Sequence, residues 1–123
     1  MSEEQKNILI IEDEKPLAHA LELKLSRAGF AVEVTSDGER GVAALERGGF
    51  DLVLLDLVMP KKDGFAVLEN MKERGDKTPA IVLSNLSQKE DEQKVRELGA
   101  QDFFIKSNMP IADVVNRVQT LLQ

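Results

Sequence analysis

The sequence predicts a doubly wound α/β domain, a five-stranded parallel sheet with five helices on its faces. Three observations carry this. Residues 8–11, 52–55 and 80–83 are apolar without alternation, the mark of strands buried on both sides. Between such runs lie stretches whose apolar residues recur at helical spacing. The two kinds of segment alternate along the whole chain, the order of βα units joined by right-handed crossovers.

The elements follow in order. After the first strand, Pro16 opens a helix with Leu17, Leu21, Leu25 and Ala28 on one face, and Gly29 ends it. Residues 31–35 alternate as a short strand. Asp37 can cap a second helix that turns Val42 and Leu45 inward and closes at Gly48 and Gly49. The third strand runs straight into Asp56. Residues 59–64 read as a loop by their Pro, Lys and Gly content. The third helix, 65–74, directs Phe65, Leu68 and Met71 inward. Pro79 precedes the fourth strand, and the stretch 88–98 is helical but very polar, with Val95 and Leu98 its large apolar residues. A short strand follows at 103–105. From Pro110 onward, Ile111, Val114, Val115, Val118, Leu121 and Leu122 form the cleanest helical pattern in the chain.

A chain of 123 residues is expected to form one domain. Its 42% hydrophobic and 31% charged residues suit a globular fold rather than disorder. Sixteen basic against 22 acidic residues leave a net charge of -6, so the basic footprint for direct nucleic-acid binding is missing. With no cysteine, disulfides, zinc-thiolate sites and thiol catalysis are excluded together. With one histidine, His19, no site can need two. No apolar run is long enough to span a membrane, and the acidic, polar start is unlike a signal peptide, so the expected location is cytoplasmic.

In an open parallel sheet the ligand crevice lies at the carboxyl ends of the strands. The residues just past those ends are Glu12 and Asp13, then Asp56, Ser84 and Lys106. Converging carboxylates repel one another and raise each other's pKa, and a hard cation resolves the conflict. Oxygen ligands without histidine or thiolate suit Mg2+. Lys106 can pair with Asp56 or hold phosphate oxygens, and the Ser84 hydroxyl can donate to a phosphoryl oxygen. A carboxylate nucleophile, a metal, a lysine and a hydroxyl are the parts of phosphoryl transfer. Taken singly, each residue has a plainer reading, such as capping the next helix. Their joint placement, each at the end of its own strand, is what argues for a site.

Here the sequence resembles a known family. Glu12-Asp13, the run Leu54-Leu55-Asp56-Leu57-Val58-Met59-Pro60 with Asp63-Gly64, Ser84, and Phe103-Phe104-Ile105-Lys106 resemble the receiver domains of bacterial two-component response regulators, over essentially the whole chain. The resemblance implies sheet order 2-1-3-4-5, a flavodoxin-like arrangement. A single receiver domain over 1–123 is expected, the chain stopping at the end of the last helix with no room for an output domain. The resemblance also implies that Asp56 accepts a phosphoryl group from a sensor histidine kinase or a histidine phosphotransfer protein. Asp13, Asp56 and the backbone carbonyl of Val58 would ligate Mg2+, with Glu12 reaching it through water. Lys106 would bridge to Asp56 and then to the phosphoryl group. Ser84 and Phe103 would form the switch pair and reshape the face of the fourth helix, fifth strand and fifth helix for a downstream protein target. Val58 and Leu86 would flank the approach of a hydrolytic water and so control the lifetime of the phosphoryl group.

The chain departs from the family pattern in three places. The acidic pair is Glu-Asp rather than Asp-Asp. Asn85 stands where a small residue is usual; its amide could crowd Asp56 or lend a donor to the phosphoryl group. Ser107 follows Lys106 in place of proline, so either a trans bond with an altered loop or a strained cis bond is expected. His19 falls on the outer face of the first helix and reads as a solvated histidine. Leu23 is also outward, a candidate for partner docking. Arg96, Asp102, Asp113 and Arg117 could pair across a homodimer. The alternatives are a phosphorylation-independent interaction module and a Mg2+-dependent aspartyl phosphatase. The phosphatase would need an acid two residues after Asp56, where Val58 stands. A flavin carrier lacks the aromatics and the hydroxyl-rich loop. The chain is not expected to be an enzyme beyond its own phosphorylation and dephosphorylation.

Overall fold

A computed structural model describes residues 5–59, 61–85 and 89–123. The order is β1 (Asn7–Ile11), α1 (Lys15–Arg27), β2 (Ala31–Thr35), α2 (Gly38–Arg47), β3 (Leu52–Asp56), α3 (Gly64–Glu73), β4 (Ala80–Ser84), α4 (Lys89–Glu97), β5 (Asp102–Ile105) and α5 (Ile111–Leu121). All strand pairs are parallel and the sheet order is β2-β1-β3-β4-β5, as the sequence and its resemblance imply.

The central strands owe their place to their side chains. Residues 8–11 and 52–55 are all fully buried, which requires cover on both faces. Successive side chains point to opposite faces, so each strand feeds two cores. Leu9, Ile11, Val53, Leu55 and Val82 pack with α2 and α3 and with Val95 of α4. Ile8, Ile10, Leu52, Leu54, Ile81 and Leu83 pack with Leu21 and Leu25 of α1 and Val114 and Val118 of α5. Phe103 joins the first core and Phe104 the second, as adjacent strand residues must.

Local chemistry sets the boundaries. The Asp37 side chain accepts the Arg40 N–H at 2.9 Å and caps α2, and Asp63 accepts the Ala66 N–H at 2.9 Å and caps α3. Gly48 and Gly49, both at positive φ, end α2. α3 starts at Gly64, one residue before the predicted start, and Phe65 is half-buried beside the deeper Val67, Leu68 and Met71. β5 starts at Asp102, whose carboxylate accepts its neighbour's N–H from Phe103 at 3.0 Å.

Of α4 only Val95 is fully buried. Polar contacts supplement it: Lys94 Nζ stands 4.4 Å over the Phe65 ring, and Lys72 Nζ donates to the Glu97 carbonyl at 3.3 Å. The predicted residue 88 start lies outside the described residues. Asp102 is 2.8 Å from Arg117 Nε and 3.9 Å from Arg96, so these groups, expected as candidates for pairing across a dimer, pair within the chain. His19 is exposed, and Leu23 is 40% exposed, as expected. No helix among the described residues is long and apolar enough to cross a membrane.

Candidate functional site

The carboxyl ends of β1, β3 and β5 bring four acidic residues and one lysine into a single cleft. Glu12 continues the line of β1, its N–H donating to the Thr35 carbonyl at 3.0 Å, and is only 2% exposed. Asp13 next to it is exposed. Asp56 ends β3 and is 3% exposed. The Val58 N–H donates to Asp56 Oδ1 at 3.3 Å, so the turn after β3 already orients this carboxylate. Lys106 follows β5 directly, and its Nζ lies 2.9 Å from Glu12 Oε1, 3.0 Å from Asp56 Oδ2 and 2.5 Å from Glu14 Oε2.

Burial dominates the electrostatics. It pushes the Glu12 carboxyl up to about 7, helped by the Asp56 charge and opposed by the Glu14 N–H and by Lys106. Burial likewise raises Asp56 above its ordinary value, against the pull of Lys106. For Lys106 burial favours the neutral amine, but hydrogen bonds to Glu14, Glu12 and Asp56 outweigh it, and the ammonium is held more tightly than an ordinary lysine holds its proton. One cation thus serves several carboxylates, and the residual negative charge asks for a second.

Glu12, Asp13 and Asp56 can each offer an oxygen within 4.8 Å of the others, a spacing that fits one ion. An all-oxygen, all-carboxylate donor set fits Mg2+ or another hard cation. Val58, the further expected ligand through its backbone carbonyl, lines the same cleft of about 330 Å³ with Asp13, Glu14, Asp56, Asn85 and Lys106. The Val58 side chain is 61% exposed at its rim.

Ser84 ends β4, fully buried, in register with Ile105. Val82 pairs with Phe103 two positions earlier, so Ser84 and Phe103 belong to the same face of the sheet, the one that α4 covers. Phe103 is half-buried. Asn85 is exposed at the cleft. Leu86, the other residue expected to flank the approach of water, lies outside the described residues. The Lys106–Ser107 bond is trans and residues Lys106–Asn108 form a short 3-10 turn. With serine in place of proline, the bond strongly prefers trans.

Sequence reasoning missed Glu14. It occupies the N-cap position of α1, yet its side chain makes no capping bond and turns to Lys106 instead. The available signal was the run of three acids, Glu12-Asp13-Glu14, at one strand end.

The chain is similar to known proteins over most of its length. The response regulator receiver domain family matches residues 8–119. The transcriptional regulatory protein DltR of Streptococcus agalactiae is 39% identical over 80% of this chain and 44% of its own length. QseB of Haemophilus influenzae, also a transcriptional regulatory protein, is 34% identical over 94% of this chain and 52% of its own. The chain therefore spans about half the length of the curated relatives it matches. Among solved structures, the receiver domain of Francisella response regulator 1452 superposes with a TM-score of 0.90 at 26% identity, covering 95% of this chain and 96% of that one. The BeF3-activated DrrB receiver domain does so with a TM-score of 0.86 at 26% identity, covering 97% and 98%.

Proposed function

The chain belongs to the response regulator receiver domain family of two-component systems, and on that premise we propose that it is a phosphoacceptor switch in which Asp56 takes a phosphoryl group from a phosphohistidine on a sensor kinase or phosphotransfer protein. The observation that carries this is Lys106 Nζ, 3.0 Å from Asp56 Oδ2, in a cleft that also holds Glu12 and Asp13.

An Asp56 oxygen attacks phosphorus as the P–N bond breaks, and the imidazole nitrogen leaves with the electron pair. Asp13, Asp56 and the Val58 carbonyl would hold Mg2+, with Glu12 reaching it through water, and the ion when bound supplies positive charge against the phosphoryl oxygens. Lys106, bridged to Asp56 at rest, reaches on to the phosphoryl group. The Ser84 hydroxyl donates to another phosphoryl oxygen, with Asn85 as a further donor. Phe103, on the same face, moves into the space that the hydroxyl leaves. α4, held by one fully buried side chain, is the element that can shift at small cost. The changed surface of α4, β5 and α5 then meets a downstream protein.

Two other readings are weaker. A phosphorylation-independent module would have no use for Glu12, Asp13, Asp56 and Lys106 gathered in one cleft. An aspartyl phosphatase would need an acid where the exposed, apolar Val58 stands.

The test is intact-mass analysis with acetyl phosphate. Wild type with Mg2+ should gain one phosphoryl mass, labile at alkaline pH; Asp56→Ala should gain none, and removal of Mg2+ should abolish labelling. An alanine variant labelled as fully as wild type would show that Asp56 is not the acceptor.

A further inference from the structure

We propose that Glu14 is a positioning residue for phosphoryl transfer, holding the Lys106 ammonium in the resting protein so that the lysine engages an incoming phosphoryl group only when Glu14 lets go. This rests on the reading of Asp56 as phosphoacceptor. A lysine ammonium has three N–H donors, and three carboxylates meet this one, from Glu12, Asp56 and Glu14. No donor is left over for a phosphoryl oxygen, so one contact must break.

Exposure decides which. The Glu12 and Asp56 side chains are 1% and 4% exposed, and separating either from Lys106 strands a buried carboxylate without its cation. The Glu14 side chain is 54% exposed, and water replaces the lysine at small cost. Nothing on α1 competes for it, since Glu14 makes no capping bond there. Its carboxylate lies at the cleft itself, beside Asp13, Asp56 and Asn85.

The two rates of the switch should respond differently. Release precedes phosphorylation, so the Glu14–Lys106 contact stabilises the resting state relative to the transition state and slows labelling. Once the phosphoryl group is on Asp56, the lysine is already engaged with it, and Glu14 is in water both in that state and in the transition state for hydrolysis. The decay rate should therefore ignore Glu14.

The experiment compares wild type, Glu14→Gln and Glu14→Asp in acetyl phosphate with saturating Mg2+. Labelling is followed by intact mass, and decay is followed after the donor is removed. Glu14→Asp keeps the charge but is one methylene too short to hold the lysine. Both variants should label faster than wild type, by about three- to tenfold, with decay within about twofold of wild type. If Glu14→Asp labels like wild type while Glu14→Gln is faster, the effect is charge at the cleft mouth and the proposal is overturned. Unchanged labelling in both variants, or equal changes in labelling and decay, overturns it as well. Wild type that takes no label on Asp56 overturns the phosphoacceptor reading, and this proposal with it.

Discussion

Gly38, the first residue of α2, lies so close to Lys62 that a Cβ built on it would stand 1.8 Å from the Lys62 carbonyl oxygen. Gly41, one turn on, would meet Ile11 at 2.4 Å, and Gly64 would meet the Asp56 carbonyl oxygen at 2.3 Å. These three close approaches draw α2 and α3 onto β1, β3 and the loop after Asp56, which carries Val58. Gly38→Ala sets a methyl group against backbone that cannot swing aside, and should cost about 2–4 kcal/mol. Gly48→Ala meets nothing within 4 Å and suffers only from its backbone, φ +78° and ψ −178°, a region nearly closed to a side chain; it should cost less than Gly38→Ala, about 1–3 kcal/mol. Urea unfolding of the two variants checks the order, and a Gly38→Ala protein as stable as wild type would refute the contact.

The site should also give the metal-free protein a distinctive pH dependence. The Glu12 carboxyl is raised from about 4.5 to about 7 by burial, and Asp56 is raised in the same direction. Between those values the folded protein binds more protons than the unfolded chain, so stability falls as pH rises through the window. Lys106, whose pKa is also raised, stays charged throughout and loses its contribution only in strong alkali. Thermal melts in chelator for wild type and Glu12→Gln isolate the effect. The Tm of wild type relative to the variant should fall by an amount of the order of 5 °C from about pH 5 to about pH 8. A constant difference would mean that Glu12 titrates as an exposed carboxylate.

Lys61 holds a φ of 70°, alone among the described non-glycine residues. Its side chain is exposed and makes no hydrogen bond or ion pair among the described residues. A side chain in the left-handed region costs about 1–2 kcal/mol, part of which glycine returns as entropy of the unfolded chain. Lys61→Gly should therefore gain about 0.5–1 kcal/mol in chemical denaturation. A loss of stability would show that the lysine side chain makes a contact worth more than the strain.

The legible parts of the structure are those with a local cause. Uninterrupted apolar runs announce the buried strands because cover on both faces leaves no position for a polar side chain. Asp37 and Gly48 mark the ends of α2 because capping and positive φ are demanded by the helix itself. Strand-end residues announced the acidic cleft because a parallel sheet gathers them at one edge. Glu14 escaped because its partner Lys106 is 92 residues away, and no local rule tells a capping acid from one that turns to a distant lysine. The pairing of Asp102 with Arg117 escaped for the same reason: charge alone does not say whether two groups meet within a chain or across a dimer.

The last prediction concerns how long the phosphoryl group lasts. Hydrolysis needs a water in line with phosphorus, opposite the Asp56 oxygen. Val58 stands at the rim of the cleft, 61% exposed, with an apolar side chain that excludes water and cannot orient one. Leu86, the other residue expected at this approach, is apolar as well, although its position is outside the described residues. Positioning a reactant is worth several kcal/mol in barrier height, so the wild-type phosphoryl state should persist. Val58→Asn supplies an amide that can hold a water, and Leu86→Glu a carboxylate that can do the same. Each should speed decay by about tenfold, or about 1.4 kcal/mol in the barrier. The measurement is decay of the phosphorylated mass with Mg2+ present after the donor is removed. Should neither variant lose its label faster than wild type, water reaches phosphorus by a route that these two side chains do not control.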